Sequence, residues 1–177
     1  MTTTSAEDDV ATAVSAAVAA RARHMLGPVA ADELTDDAAM AWEGMLETSR
    51  HMRRMADDLL TREHDLSVSM LGTLGRLAIA CDRTMRQTEL ARAMGLSISR
   101  VSRVVDLLEV RGLVTRRTCP SDARATNVTL TKPGIALTTV AQERLHALVR
   151  AAFVERLGAD EMHVLATVFR RLIDAPS

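Results

Sequence analysis

Apolar positions first recur at helical spacing over residues 5–26, at Val10, Val14, Val18 and Met25. Ser5 is placed to cap this stretch and Gly27-Pro28 to end it. A longer helix is predicted over about 36–64. Thr35 stands at its start, Asp36 and Asp37 suit the positive end of its dipole, and Met45, Met52, Met55 and Leu59 form one stripe. Ser67 opens a third helix, to about Ala80, through Val68, Met70, Leu71, Leu74 and Leu77. The elements then shorten. A helix over about 88–94 is stopped by Gly95, and Ser97 caps another over 98–110, with Ile98, Val101, Val104, Val105 and Leu108 expected to face inward. After Gly112 the period changes from helical to alternating. Strands are predicted at 113–118 and 125–131, around the tip Cys119-Pro-Ser-Asp-Ala-Arg124. Lys132-Pro133 opens a helix to about Leu157, Gly158 breaks it, and a last helix starts at Ala159-Asp160 and runs through Leu165, Val168 and Leu172.

Two short helices joined by a glycine turn and followed by an Arg-rich hairpin outline a winged helix-turn-helix. The expected fold is therefore mainly α with a small antiparallel β-hairpin. The chain divides into an extension at 1–34, a helical scaffold at 35–66 and 132–177, and the winged unit at 67–131. Composition agrees with a helical core: 47% of the 177 residues are hydrophobic but only 2% aromatic. No apolar run approaches the roughly 18 residues of a membrane span. The acidic start, MTTTSAEDDV, is unlike a signal peptide, and Cys81 and Cys119 form no C-x-x-C, so an intracellular, cytoplasmic protein with reduced thiols is expected.

The net charge of −1 argues at first against a nucleic-acid partner. Its distribution reverses that argument. Residues 1–75 hold 6 basic and 13 acidic side chains, a net of −7, whereas residues 76–124 hold 10 and 5, a net of +5. Residues 125–177 hold 6 and 5, a net of +1. Affinity for a phosphate backbone follows such local charge and not the total.

In a helix-turn-helix the second helix presents polar side chains near its N-terminus to base edges. Ser97, Ser99, Arg100, Ser102 and Arg103 occupy those positions here. Arginine can grip guanine bidentately, and serine can reach a base or a phosphate. Gln87 and Thr88, at the start of the preceding helix, are candidate phosphate contacts. On the hairpin, Arg116, Arg117 and Arg124 form a cluster suited to the negative potential of a narrow minor groove. Asp122 at the tip would repel DNA unless paired, and Arg124 or Arg103 is the expected partner.

Thr88-Glu-Leu-Ala, Met94-Gly-Leu-Ser97, Val101-Ser-Arg103, Leu107-Leu-Glu109, Arg111-Gly-Leu-Val114, Pro120-Ser-Asp122-Ala-Arg124 and Leu130-Thr-Lys-Pro-Gly134 occur in this order. Together they resemble the MarR (multiple antibiotic resistance regulator) family of transcription factors, over about residues 38–173. The resemblance implies a homodimer held by N- and C-terminal helices, binding a pseudo-palindromic operator in double-stranded DNA, more often as a repressor than an activator. It also implies that Arg124, with Arg117 nearby, enters the minor groove and that the family's wing aspartate falls on Asp122. The usual Asp-Arg-Arg of the tip is Asp122-Ala123-Arg124 here, so one cation is missing. A small aromatic or lipophilic effector is implied too, with Trp42, His51, Met52, Met55 and Met70 as its expected surroundings. The N-terminal extension is similar to that of a urate-responsive subgroup, but that subgroup's aspartate would fall at Gly72, and the first helix has no tryptophan.

Other classes have less behind them. A redox-responsive regulator would rely on Cys119 beside Arg116 and Arg117, and a metal-responsive one on Glu63-His64-Asp65. No HExxH, G-x-S-x-G, P-loop or G-x-G-x-x-G occurs, so neither an enzyme nor a cofactor is expected. The lack of tyrosine disfavours a stacking platform for single strands or RNA. A winged-helix scaffold used only for protein contacts remains as an alternative.

Overall fold

The computed structural model describes residues 35–119 and 122–174, with the side chains at 119–125 left aside. The helix expected at 5–26 lies outside the described residues. Contacts divide the chain into two compact units, Met1–Arg54 and Met55–Ser177. The element common to both is the long helix α1 (Asp36–His64).

In the first unit Thr35 Oγ1 accepts the amide of Ala38 at 3.2 Å, the expected cap. Arg50 reaches Glu43 at 3.2 Å and Glu47 at 2.9 Å, and Arg54 reaches Glu47 at 3.3 Å. The hydrogen bond from Arg50, followed by that from Arg54, holds the Glu47 carboxyl below its ordinary pKa.

The second unit continues with α2 (Val68–Ile79), a 3-10 turn at Cys81–Arg83, β1 (Thr84–Arg86), α3 (Gln87–Met94) and α4 (Ile98–Val110). After these come β2 (Val114–Cys119), β3 (Asp122–Leu130), α5 (Lys132–Ala152), a 3-10 turn at Val154–Arg156 and α6 (Ala159–Ile173). The architecture is mostly helical around one antiparallel sheet of order β1-β3-β2. The sheet has three strands, one more than the expected hairpin. Thr84-Met85-Arg86 is too short to show an alternating pattern, and it becomes a strand only because β3 offers it an edge. Thr84 pairs with Thr129 there, their hydroxyls 2.9 Å apart. The helix expected to run to Leu157 ends earlier, at Ala152, and passes into the second 3-10 turn.

One apolar cluster joins α2, α3, α4, the sheet and α5. Leu71, Leu74 and Leu77 of α2 meet Leu90 of α3, Val101, Val105 and Leu108 of α4, Val114 and Val128 of the sheet, and Ala141 of α5. These are the positions that helical and alternating periodicity selects. Ile98 is an exception. It lies in step with Val101 and Val105 but is 54% exposed, because the first turn of α4 projects past the core. Gly95, with φ +62, closes α3 in the left-handed conformation that glycine adopts without a Cβ penalty.

The start of α5 lies very close to the turn that follows α4. Thr131 is its N-cap, and its hydroxyl accepts from Gly134 N at 3.1 Å and bonds Gly112 O at 2.7 Å and Leu113 O at 3.0 Å. A Cβ built on Gly134 would stand 2.1 Å from Leu113 O and 2.7 Å from Leu130 Cδ1. The obstacle is backbone, which cannot swing aside. Gly134→Ala is therefore expected to cost about 3 kcal/mol of stability, as overpacking of a closed site does, and urea unfolding will measure it.

Candidate nucleic-acid interface

The amphipathic pattern of α4 dictates what it displays. With Val101, Val104, Val105 and Leu108 buried, Ser99, Arg100 and Arg103 stand exposed on its surface. Ser97 is the N-cap, its hydroxyl accepting Arg100 N at 3.3 Å and lying 3.2 Å from Ser99 Oγ. Both serines therefore help to set the first turn as well as line the outer surface. Arg100 and Arg103 make no ion pair among the described residues. On α3, Gln87 is the first residue and half-buried, and Thr88 is exposed. The amide of Arg86 donates to Glu89 Oε2 at 3.2 Å, which fixes this helix start.

The two neighbouring wing arginines are in different situations. In β2 successive side chains point to opposite faces. Arg116 shares the face of buried Val114 and turns back onto α4, while Arg117 is exposed on the other face. The Arg116 guanidinium is 2.5 Å from Asp106 Oδ1 and donates to Ser102 O at 2.8 Å, and its Nε lies 3.8 Å from Glu109 Oε2. Its backbone amide donates to Glu109 Oε1 at 2.9 Å. Arg116 is thus a brace between the base of the wing and α4, with only 23% of its side chain exposed. Ser102 takes part through its carbonyl and is half-buried. Asp122 and Arg124 lie in β3, but their side chains, and so the pairing expected for Asp122, lie outside what is described.

The sequence gives Asp106 no role and Glu109 only a place in the motif Leu107-Leu-Glu109. The alternation along β2 could have signalled that Arg116 and Arg117 cannot face the same way, but the acidic partners come from a separate helix. Two further arginines of the basic segment also bind inside the protein. Arg76 donates to Ala93 O at 2.9 Å, near the end of α3, and Arg111 donates to His64 O at 2.9 Å, at the end of α1.

The residues expected around an effector fall in both units. Trp42 and His51 are exposed and Met52 is half-buried in the first; Met55 is half-buried and Met70 buried in the core of the second. Glu63, from the only tight cluster of possible metal ligands in the sequence, is taken up by Arg144, at 2.7 and 3.0 Å. That contact holds the Glu63 carboxyl below its ordinary pKa. No group of three or more His, Cys, Asp or Glu side chains suited to a metal ion occurs among the described residues. Cys81 is exposed and free, and Cys119 ends β2 with its side chain outside the description. No helix among the described residues is long and apolar enough to cross a membrane.

Comparison with known proteins extends this picture. Residues 78–126 match the model of the MarR family. The chain is similar to Sco3205, a MarR family transcriptional regulator of Streptomyces coelicolor whose structure is of a complex with DNA. Identity is 29%, covering 81% of this chain and 91% of that one, with a TM-score of 0.75. AbsC, a MarR family transcriptional regulator of the same organism, is 27% identical over 80% of this chain and 95% of its own, with a TM-score of 0.73. MepR of S. aureus shares the fold, with 23% identity over 73% and 93% of the two chains and a TM-score of 0.66.

The brace can be tested without any ligand. Arg116→Met is expected to lower stability by about 1–2 kcal/mol, since it removes charge-assisted hydrogen bonds and leaves Ser102 O without this donor. In urea unfolding, an Asp106→Asn change added to Arg116→Met should cost little more, because the two act as a pair.

Proposed function

We propose that the chain, which matches the MarR family model over residues 78–126 and resembles MarR family transcriptional regulators in structure, is a regulator of that type and binds a pseudo-palindromic operator in double-stranded DNA as a homodimer. In this reading it acts as a repressor, released by a small aromatic or lipophilic effector, with the cytoplasm as its compartment and no catalytic activity. The observation that carries the proposal is the outer surface of α4. Arg100 and Arg103 are exposed and without ion pairs among the described residues, Ser97 and Ser99 line the first turn, and Arg117 is exposed on the adjoining wing. Such a surface combines side chains that read bases with cations that hold phosphates. Sco3205, with the same fold, was solved in complex with DNA.

The homodimer is supported by α6. None of its residues is buried, and Val164, Val168, Phe169, Leu172 and Ile173 are 37–80% exposed. Apolar residues recurring at this spacing form a face that a second copy would cover.

Fluorescence anisotropy with operator duplexes obtained by in vitro selection tests the DNA reading. Affinity should fall steeply with salt, through several phosphate contacts per dimer. Arg103→Ala and Arg124→Ala should each cost about 1–3 kcal/mol of specific binding. Salt-independent binding, or wild-type affinity in both variants, would overturn the assigned roles. For the dimer, light scattering should show the mass of two chains, and the paired change Phe169→Asp with Leu172→Asp should shift it towards one.

A further inference from the structure

The end of α1 is held in an uncommon way. Asp65 has φ +52, a left-handed conformation that a residue with a Cβ enters only against steric resistance. The turn is closed by Asp65 N bonding Thr61 O and Leu66 N bonding Leu60 O, both at 3.1 Å. Arg111 completes it. One guanidinium nitrogen donates to His64 O at 2.9 Å and the other to Asp65 O, with Asp65 Oδ2 3.8 Å away. Arg111 is itself the C-cap of α4, its backbone amide bonded to Leu107 O at 3.3 Å. The Arg111 backbone therefore caps α4 while its guanidinium stands at the C-terminal end of α1, whose dipole favours a cation. Its planar fork reaches two carbonyls at once, which an ammonium group does less well.

Other bonds stiffen the same corner. Asp57 Oδ1 accepts Val68 N at 2.7 Å, tying α1 to the start of α2, and Glu63 holds Arg144 of α5. The last turns of α1 are thereby tied to α2 and α5, and Arg111 is the side chain that ties them to the C-terminal end of α4.

We propose that Arg111 is the positioning residue that couples the direction of α4 to the end of the long helix, so that the separation of two α4 helices on DNA follows the long helices. This rests on the operator-binding dimer proposed above. Removing the guanidinium leaves the buried face of α4 and its turn into the wing in place but releases the end of α1 from α4, and a reading helix no longer tied to the long helix accommodates half-sites at the wrong spacing.

The test measures affinity for a selected operator and for derivatives with one base pair inserted or deleted between half-sites, well below the unfolding midpoint of each variant. The wild type should discriminate between spacings by about a hundredfold and Arg111→Met by about tenfold or less, with Arg111→Lys intermediate. Adding Asp65→Gly to Arg111→Met relieves the left-handed strain and should restore the unfolding midpoint, yet not the discrimination. Wild-type discrimination in Arg111→Met, or its return in the double variant, overturns the proposal, leaving Arg111 as a helix cap only. If Arg111→Met does not fold, Arg111→Lys and the double variant carry the same comparison. Should no form bind any duplex, the operator reading itself fails, which is a different result from binding with unchanged spacing preference.

Discussion

The close approach of Gly134 to the carbonyl of Leu113 is the constraint on which the geometry of this winged unit depends. At that point the chain has just left α4, is about to enter the wing, and will return from it into α5. Thr131 bonds Gly112 and Leu113 on one side and caps α5 on the other. Its amide also donates to Leu113 O at 3.1 Å. Because the two backbones meet with no side chain between them, the root of the hairpin is fixed relative to both helices. A wing anchored at its root keeps the paired part of β2 and β3 in a defined place beside α4, as simultaneous contact with two grooves would require.

Arginine has two distinct uses in the basic segment. Arg76, Arg111 and Arg116 point into the protein, where guanidinium groups cap helix ends or bridge wing and helix. Arg100, Arg103 and Arg117 remain on the surface. The inward set orders the elements, and the outward set supplies the local positive potential. A total of charges cannot distinguish these, since the same residue type performs both tasks. Asp106 and Glu109 matter for the same reason: acidic residues beside a proposed DNA surface would be unfavourable if free, but here they engage Arg116.

The unburied face of α6 is the counterpart of the ordered winged unit. Leucine, valine and phenylalanine left in water on one helix cost free energy that intramolecular packing does not recover here. In the proposed dimer that face sets the frame, and Arg111 links the frame's long helix to the reading helix. Stability of the corner at Asp65 and spacing of the reading helices then become parts of one property.

Much of this was legible in the chain itself. The helices α1 to α6 follow from periodicity and caps such as Thr35, Ser67 and Ser97, because these depend on residues three or four positions apart. The outward polar surface of α4 follows from the same local rule, as does the resemblance carried by its ordered motifs. The strand at Thr84–Arg86, the exposure of Ile98, the inward turn of Arg116 and the grip of Arg111 on His64 and Asp65 do not. Each depends on partners between 10 and 47 positions away in the chain, or on where a core ends. Local sequence therefore determined which elements form and which faces are apolar. Tertiary packing alone decided which of the arginines hold the structure together and which are left to meet a partner, because only packing brings their distant acceptors within reach.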